Sequence, residues 1–133
     1  MRLYLMRHAE AVPRGAPGFA LDADRPLTDE GRRQARHAAH ALRRLSIDID
    51  AIVASPYLRA AQTAEQVAKI LEFREPVRTL PELEPDTPGR RTSAALESLA
   101  DFSEILLIGH EHHLSAWLGE LVTEDGSLRC AFK

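Results

Sequence analysis

At 133 residues with a formal net charge of −3, the chain lacks the basic excess of nucleic-acid-binding proteins, and its apolar stretches are too short to span a bilayer. Its 44% hydrophobic content suits one globular domain whose core needs no staples. The single cysteine, Cys130, can form no internal disulfide and no export signal opens the chain, so a reducing, cytoplasmic setting is expected.

Leu3 to Met6 is a nearly continuous apolar run, the pattern of a strand buried on both faces, although periodicity alone leaves a buried helical segment open. Arg7 and His8 follow it directly. In isolation such a pair reads as a solvated strand exit. At the carboxyl end of a strand in an open α/β sheet, it is also where an anion would be met. Val12 to Asp24, with Pro13, Gly15, Pro17 and Gly18, is a long loop of the sort that lines binding sites.

Leu27-Thr28-Asp29-Glu30 reads as a helix start, with Thr28 as cap, two acids at the positive end of the dipole and Leu27 as staple. Ala35, Ala38, Leu42 and Leu45 supply the buried stripe, and five arginines between Arg32 and Arg44 supply most of the solvated side. His37 and His40 stand three apart on this helix, a spacing at which two solvent-facing histidines are commoner than a metal pair.

Ile49 to Ala54 is a second strand, and Ser55-Pro56 after it predicts a helix start with serine as cap. That helix runs to about Leu71, burying Tyr57, Ala61, Ala64, Ala68 and Leu71. Arg59 in its first turn opposes the helix dipole, and an anion beyond the helix end would make sense of it. Pro76 to Leu80 predicts a short third strand, Pro81 to Gly89 an acidic loop, and Arg91 to Ala100 a helix. Ile105 to Ile108 is the clearest strand, ended by Gly109-His110, and Leu114, Trp117, Leu118 and Leu121 mark a last helix. Ser127 to Lys133 is read as a further strand. Strands alternating with helices predict an α/β fold with a mainly parallel sheet.

Three predicted strands end in Arg7-His8, Ser55 to Arg59 and Gly109-His110. In a parallel sheet these ends share one edge, bringing two arginines and two histidines together as a phosphate cage with a nucleophile in it. Arginine suits that role because its planar fork binds two oxygens at once.

Leu5-Met6-Arg7-His8-Ala9-Glu10, Pro26 to Gly31, Ala54-Ser55-Pro56-Tyr57-Leu58-Arg59-Ala60-Ala61-Gln62-Thr63-Ala64 and Ile108-Gly109-His110 occur in that order. In these four motifs the chain resembles the histidine phosphatase superfamily, the phosphoglycerate-mutase-like enzymes. The resemblance runs from Met1 to about Leu121, and compact size with Glu82-Leu83-Glu84-Pro85 is most similar to the SixA-type phosphohistidine phosphatases. It implies a three-layer α/β/α fold without the helical cap domain of larger members, as a single domain over residues 1–133 that stops short of a last strand. A sheet edge so uncovered would favour a homodimer.

The resemblance further implies that His8 attacks phosphorus and becomes phosphohistidine, while Arg7, Arg59 and His110 hold the phosphoryl oxygens, without metal or other cofactor. The substrate would be a phosphohistidine protein or a small phosphorylated molecule, with no nucleic acid and no membrane involved. Ala9 replaces the family's glycine, which requires a backbone free of positive φ, and Ala11 and Arg14 replace its hydroxyl and amide donors. Pro85 stands where relatives place the glutamate that protonates an alkoxide leaving group, with Glu82, Glu84 and Asp86 as substitutes to consider. The missing acid and cap disfavour a mutase, while a small-molecule phosphomonoesterase and an inactive phosphate-binding module stay open. His110-Glu111-His112-His113 has the wrong spacing for the H-E-x-x-H zinc pattern.

Overall fold

The computed structural model describes residues 1–123. Four strands, β1 (Arg2–Arg7), β2 (Ala51–Ala54), β3 (Arg78–Thr79) and β4 (Glu104–Gly109), form one sheet in the order β1-β4-β2-β3, and every pairing is parallel. The helices are α1 (Asp29–Arg44), α2 (Leu58–Leu71), α3 (Gly89–Ala95) and α4 (His113–Val122).

Alternation along the central strands creates two cores. Ile52, Ala54, Leu106 and Ile108 pack with Ala39 of α1 and with Ala60, Ala64 and Val67 of α2. Ala51, Val53, Ile105 and Leu107 pack on the other face with Leu80, Leu83, Leu99, Leu114 and Trp117. The result is the expected three-layer α/β/α arrangement. Among the described residues, no helix is long and apolar enough to cross a membrane.

Several elements differ from the sequence reading. β1 is half-buried because, among the described residues, it pairs with β4 alone at one side of the sheet. β2 begins at Ala51, after Ile49 and Asp50. α2 begins at Leu58, because Ser55 still follows the sheet, its N–H donating to the Ile108 carbonyl at 3.0 Å. Its buried face is Arg59, Ala60, Thr63, Ala64 and Val67; Tyr57, Ala61, Ala68 and Leu71 are half-buried, so of the expected set only Ala64 is buried.

On α1 the buried residues are Gly31, Ala35 and Ala39; Ala38 and Leu42 are half-buried, and Leu45 ends the helix exposed. The third strand shrinks to Arg78–Thr79. The helix expected from Arg91 to Ala100 starts earlier, at Gly89, and tightens to a 3₁₀ turn over Leu96–Leu99. Leu114 and Trp117 of α4 are buried, but Leu121 faces solvent. The strand read over Ser127 to Lys133 and Cys130 lie outside the described residues.

Thr28 caps α1 as the sequence predicts, its Oγ1 accepting from the Gly31 N–H at 2.9 Å. The same Oγ1 donates to Glu10 Oε1 at 2.7 Å, and the Thr28 N–H donates to the Glu10 carbonyl at 3.1 Å. Gly31 lies so close to Glu10 that a Cβ there would collide with the carbonyl oxygen. The Pro26–Gly31 motif thus seats α1 directly on the segment that follows His8.

Candidate active site

The three parallel strand ends meet as expected. The His8 N–H donates to the Gly109 carbonyl at 2.9 Å, continuing the β1–β4 ladder, so His8 and His110 leave adjacent strands in register. Their rings stand 5.1 Å apart between centroids. Arg7, His8, Arg59 and His110 all line one open pocket of about 1050 Å³.

The His8 ring is held at both nitrogens. Nδ1 is 2.7 Å from the Ala9 carbonyl, which can only accept, so the ring proton sits on Nδ1. Nε2 therefore carries the lone pair, and it accepts from Arg59 Nε at 3.1 Å. Burial lowers the His8 pKa to about 4; the hydrogen bond to the Ala9 carbonyl opposes it, and the positive charges of Arg59, Arg7 and Arg25 add to the lowering. The ring is neutral at physiological pH, with the Nε2 lone pair aimed at the arginine.

Ala9, where the family places glycine, is not among the residues with positive φ, so the alanine carries no strain there. Its N–H donates to Thr63 Oγ1 at 3.1 Å, and Thr63 Oγ1 donates to the Arg59 carbonyl at 2.7 Å. One buried threonine thereby ties the loop after His8 to the helix that carries Arg59.

His110 is 2% exposed, and its Nε2 lies 2.8 Å from Ser55 Oγ. The edge of the Tyr57 ring rests against it, with centroids 5.0 Å apart. Burial first, then the charge of Arg59, lowers its pKa to about 3. Its Nδ1 is buried with no hydrogen-bond partner among the described residues. The ring is neutral and held by Ser55 at one nitrogen, and the residue lines the pocket.

Arg59 is 3% exposed. Besides His8, it donates through Nη1 to the Asp22 carbonyl at 2.6 Å and through Nη2 to Asp22 Oδ2 at 2.9 Å. Its Cζ lies 4.9 Å from the centre of the Tyr57 ring. Asp22 begins a 3₁₀ turn, Asp22–Asp24, in the long loop before α1. Its Oδ1 also accepts from Arg14 Nε at 3.0 Å and Arg25 Nε at 2.9 Å. Desolvation raises its pKa, but the hydrogen bonds to its carboxylate from Arg14, Arg59 and Arg25, with the charge of Arg59, bring it down to about 2.

The acids considered from the sequence separate. Asp86 and Pro85 line the pocket, whereas Glu82 lies 3.9 Å from Arg91 and is not among the lining residues, nor is Glu84. Sequence reasoning missed Asp22 and Arg25 and read Ser55 only as a helix cap. The alternating charges of Asp22-Ala23-Asp24-Arg25, set in a long loop directly before the Pro26–Gly31 motif, were the available signal. No group of three or more His, Cys, Asp or Glu side chains could hold a metal ion among the described residues, and His37 and His40 are both exposed.

The profile of the histidine phosphatase superfamily (branch 1) matches residues 3–85. The phosphohistidine phosphatase SixA of Escherichia coli K12 is 35% identical over 112 residues, covering 83% of this chain and 67% of that protein. The structure of the protein histidine phosphatase SixA complexed with tungstate superposes with a TM-score of 0.87 at 32% identity, covering the whole of this chain and 83% of that one. An α-ribazole phosphatase of Shigella flexneri shares the fold with a TM-score of 0.78 at 22% identity, over 99% of this chain and 87% of that one.

Proposed function

The chain belongs to the histidine phosphatase superfamily, branch 1, and from that premise we propose that it is a phosphohistidine phosphatase that works through a covalent intermediate on His8. The observation that carries this reading is the ring of His8: neutral, protonated on Nδ1, with the Nε2 lone pair facing a buried arginine. A phosphoryl group entering the pocket takes the place of that arginine contact in front of Nε2.

His8 Nε2 then forms a bond to phosphorus as the bond to the leaving nitrogen or oxygen breaks, and the leaving group takes up a proton. Water attacks the phosphohistidine in a second in-line step, releasing inorganic phosphate and returning the lone pair to His8. Arg7, Arg59 and His110, which line the pocket together, hold the equatorial oxygens, the arginines with charge. The arginines supply the charge that a metal supplies in other phosphoryl-transfer enzymes. The tungstate held by the similar SixA structure is an oxyanion, which agrees with an anion pocket here.

Pro85 at the pocket wall decides the class of leaving group. An alkoxide needs a positioned acid, worth about 10²–10⁴-fold. Imidazole, whose conjugate acid has a pKa of about 6.5, leaves without one. The pocket is open and no cap covers it among the described residues, so the substrate is a phosphohistidine on the surface of another protein. Asp86, exposed at the same pocket, favours one alternative, a small-molecule phosphomonoesterase in which it serves as the acid.

Turnover of a phosphohistidine protein and of an alkyl phosphate separates the two. The expected kcat/KM ratio favours phosphohistidine by at least about 10²-fold. Comparable values, lowered on the alkyl ester alone by Asp86→Asn, would establish the phosphomonoesterase instead. EDTA is expected to leave both activities unchanged.

A further inference from the structure

A guanidinium that is 3% exposed is stable only where its donors are matched, since a buried charge left unpaired costs several kcal/mol. Arg59 has five N–H donors. Three are engaged: Nη1 on the Asp22 carbonyl, Nη2 on the Asp22 carboxylate and Nε on His8 Nε2. Asp22 therefore occupies the far end of the guanidinium with two acceptors from one residue, and the edge that carries Nε is the one turned to the nucleophile.

We infer that Asp22 is a positioning residue for phosphoryl transfer: by taking both terminal nitrogens of Arg59, it fixes the plane of the guanidinium so that the phosphoryl group meets the Nε edge beside His8. This rests on the reading of His8 as nucleophile. Rotation of the guanidinium would still leave a cation in the pocket and so would still attract phosphate. It would lose the aim of that cation at the oxygens on which charge develops during transfer.

Two further contacts explain why an aspartate in a loop can hold so firm a geometry. Asp22 Oδ1 accepts from Arg25, which is 12% exposed and donates in turn to the Val12 carbonyl, closing the loop on itself. The contact with Arg14, 80% exposed, adds little, because solvent screens an exposed ion pair. Asp22 is not the missing acid. A carboxyl held at about 2 is ionised at neutral pH and has no proton to give.

The test is a double-mutant cycle on the full chain, with p-nitrophenyl phosphate as substrate and inorganic phosphate as competitive inhibitor. Asp22→Ala is expected to lower kcat by about 10- to 100-fold while KM and the inhibition constant for phosphate change less than about threefold. In an Arg59→Ala background the same substitution should cost less than about twofold more, because Asp22 acts through Arg59. Asp22→Asn keeps the size of the side chain and guards against a folding defect; it should show the same split with a smaller loss. Equal losses in both backgrounds, or a rise in KM at unchanged kcat, would overturn the proposal. If the wild-type chain has no turnover that His8→Ala removes, the reading of His8 fails and a second measurement decides on Asp22. A slowly exchanging Arg59 Nε–H resonance, assigned by its loss in Arg59→Lys, should vanish in Asp22→Ala. Its persistence there refutes the positioning role.

Discussion

The two ends of the sheet carry polar clusters of similar size but opposite character. At the amino-terminal edge, Asp50 accepts from the Ser103 and Glu104 N–H groups at 2.8 and 3.0 Å. Glu104 there accepts from Arg2 at 2.9 Å and from the Tyr4 hydroxyl at 2.6 Å. These groups are exposed or half-buried, and each contact joins chain segments that the sheet already brings together. At the carboxyl-terminal edge, Arg59 and His110 are buried, His8 and His110 are pushed far toward neutrality, and one His110 nitrogen has no partner among the described residues. Polar groups of the first kind tie strands together cheaply. Those of the second kind cost stability as they stand, which marks the carboxyl edge as the candidate binding site and the amino edge as a structural network.

The largest effect that sharpens this contrast is His8→Ala. Turnover should fall by at least about 10⁴-fold, as expected for a lost nucleophile, with circular dichroism and melting unchanged or nearly so. A folded His8→Ala protein with activity close to wild type would remove the distinction, since the carboxyl edge would then be structural as well.

Acid comes next. The folded-state pKa of His8 is lowered to about 4 and that of His110 to about 3, against an ordinary value of about 6.5 for the unfolded chain. Between these values the unfolded chain binds protons that the folded one refuses. Stability is therefore fullest above pH 6.5 and falls as the pH drops from there toward 4, by about one to a few kcal/mol. Melting temperature followed from pH 7.5 to 4.5 should show this decline, and His110→Gln should flatten it. The decline would be smaller still at saturating inorganic phosphate, which binds the folded state alone. Imidazole NMR signals of His8 and His110 that titrate near 6.5 would contradict the neutral pair.

The smallest effects belong to the amino edge. Asp50→Ala should destabilise the fold by about 1–2 kcal/mol, the worth of two backbone N–H hydrogen bonds to a carboxylate near the surface. Arg2→Ala should leave the unfolding midpoint nearly unchanged, its ion pair being largely exposed. Both variants should keep wild-type kcat/KM, measured beside denaturant unfolding. A loss of turnover in either would mean that the two ends of the sheet are coupled.

Much of the carboxyl edge was legible in the sequence because strand ends carry their own markers. Arg7-His8 and Gly109-His110 stop apolar runs, Arg59 sits against the helix dipole, and parallel strands bring these ends together whatever the packing details. Pro85 was placed through the family resemblance alone, which sets a glutamate at that position.

The sequence determined the α/β alternation, the cap at Thr28 and the identity of the four residues that meet at the pocket, because these depend on local periodicity and on strand direction. Tertiary structure alone decided that Asp22 grips Arg59, that Ser55 turns to His110 instead of capping α2, and that Ala60 and Val67 face the core where Ala61 and Ala68 were expected. The helix starts two residues later than expected because Ser55 still pairs with β4, and its buried face is turned by one position, about 100°. The Asp22 contact spans 37 residues and joins an irregular loop to a helix. No period in the chain encodes such a contact; it exists because a buried guanidinium must find acceptors, and the folded loop is what brings them within reach.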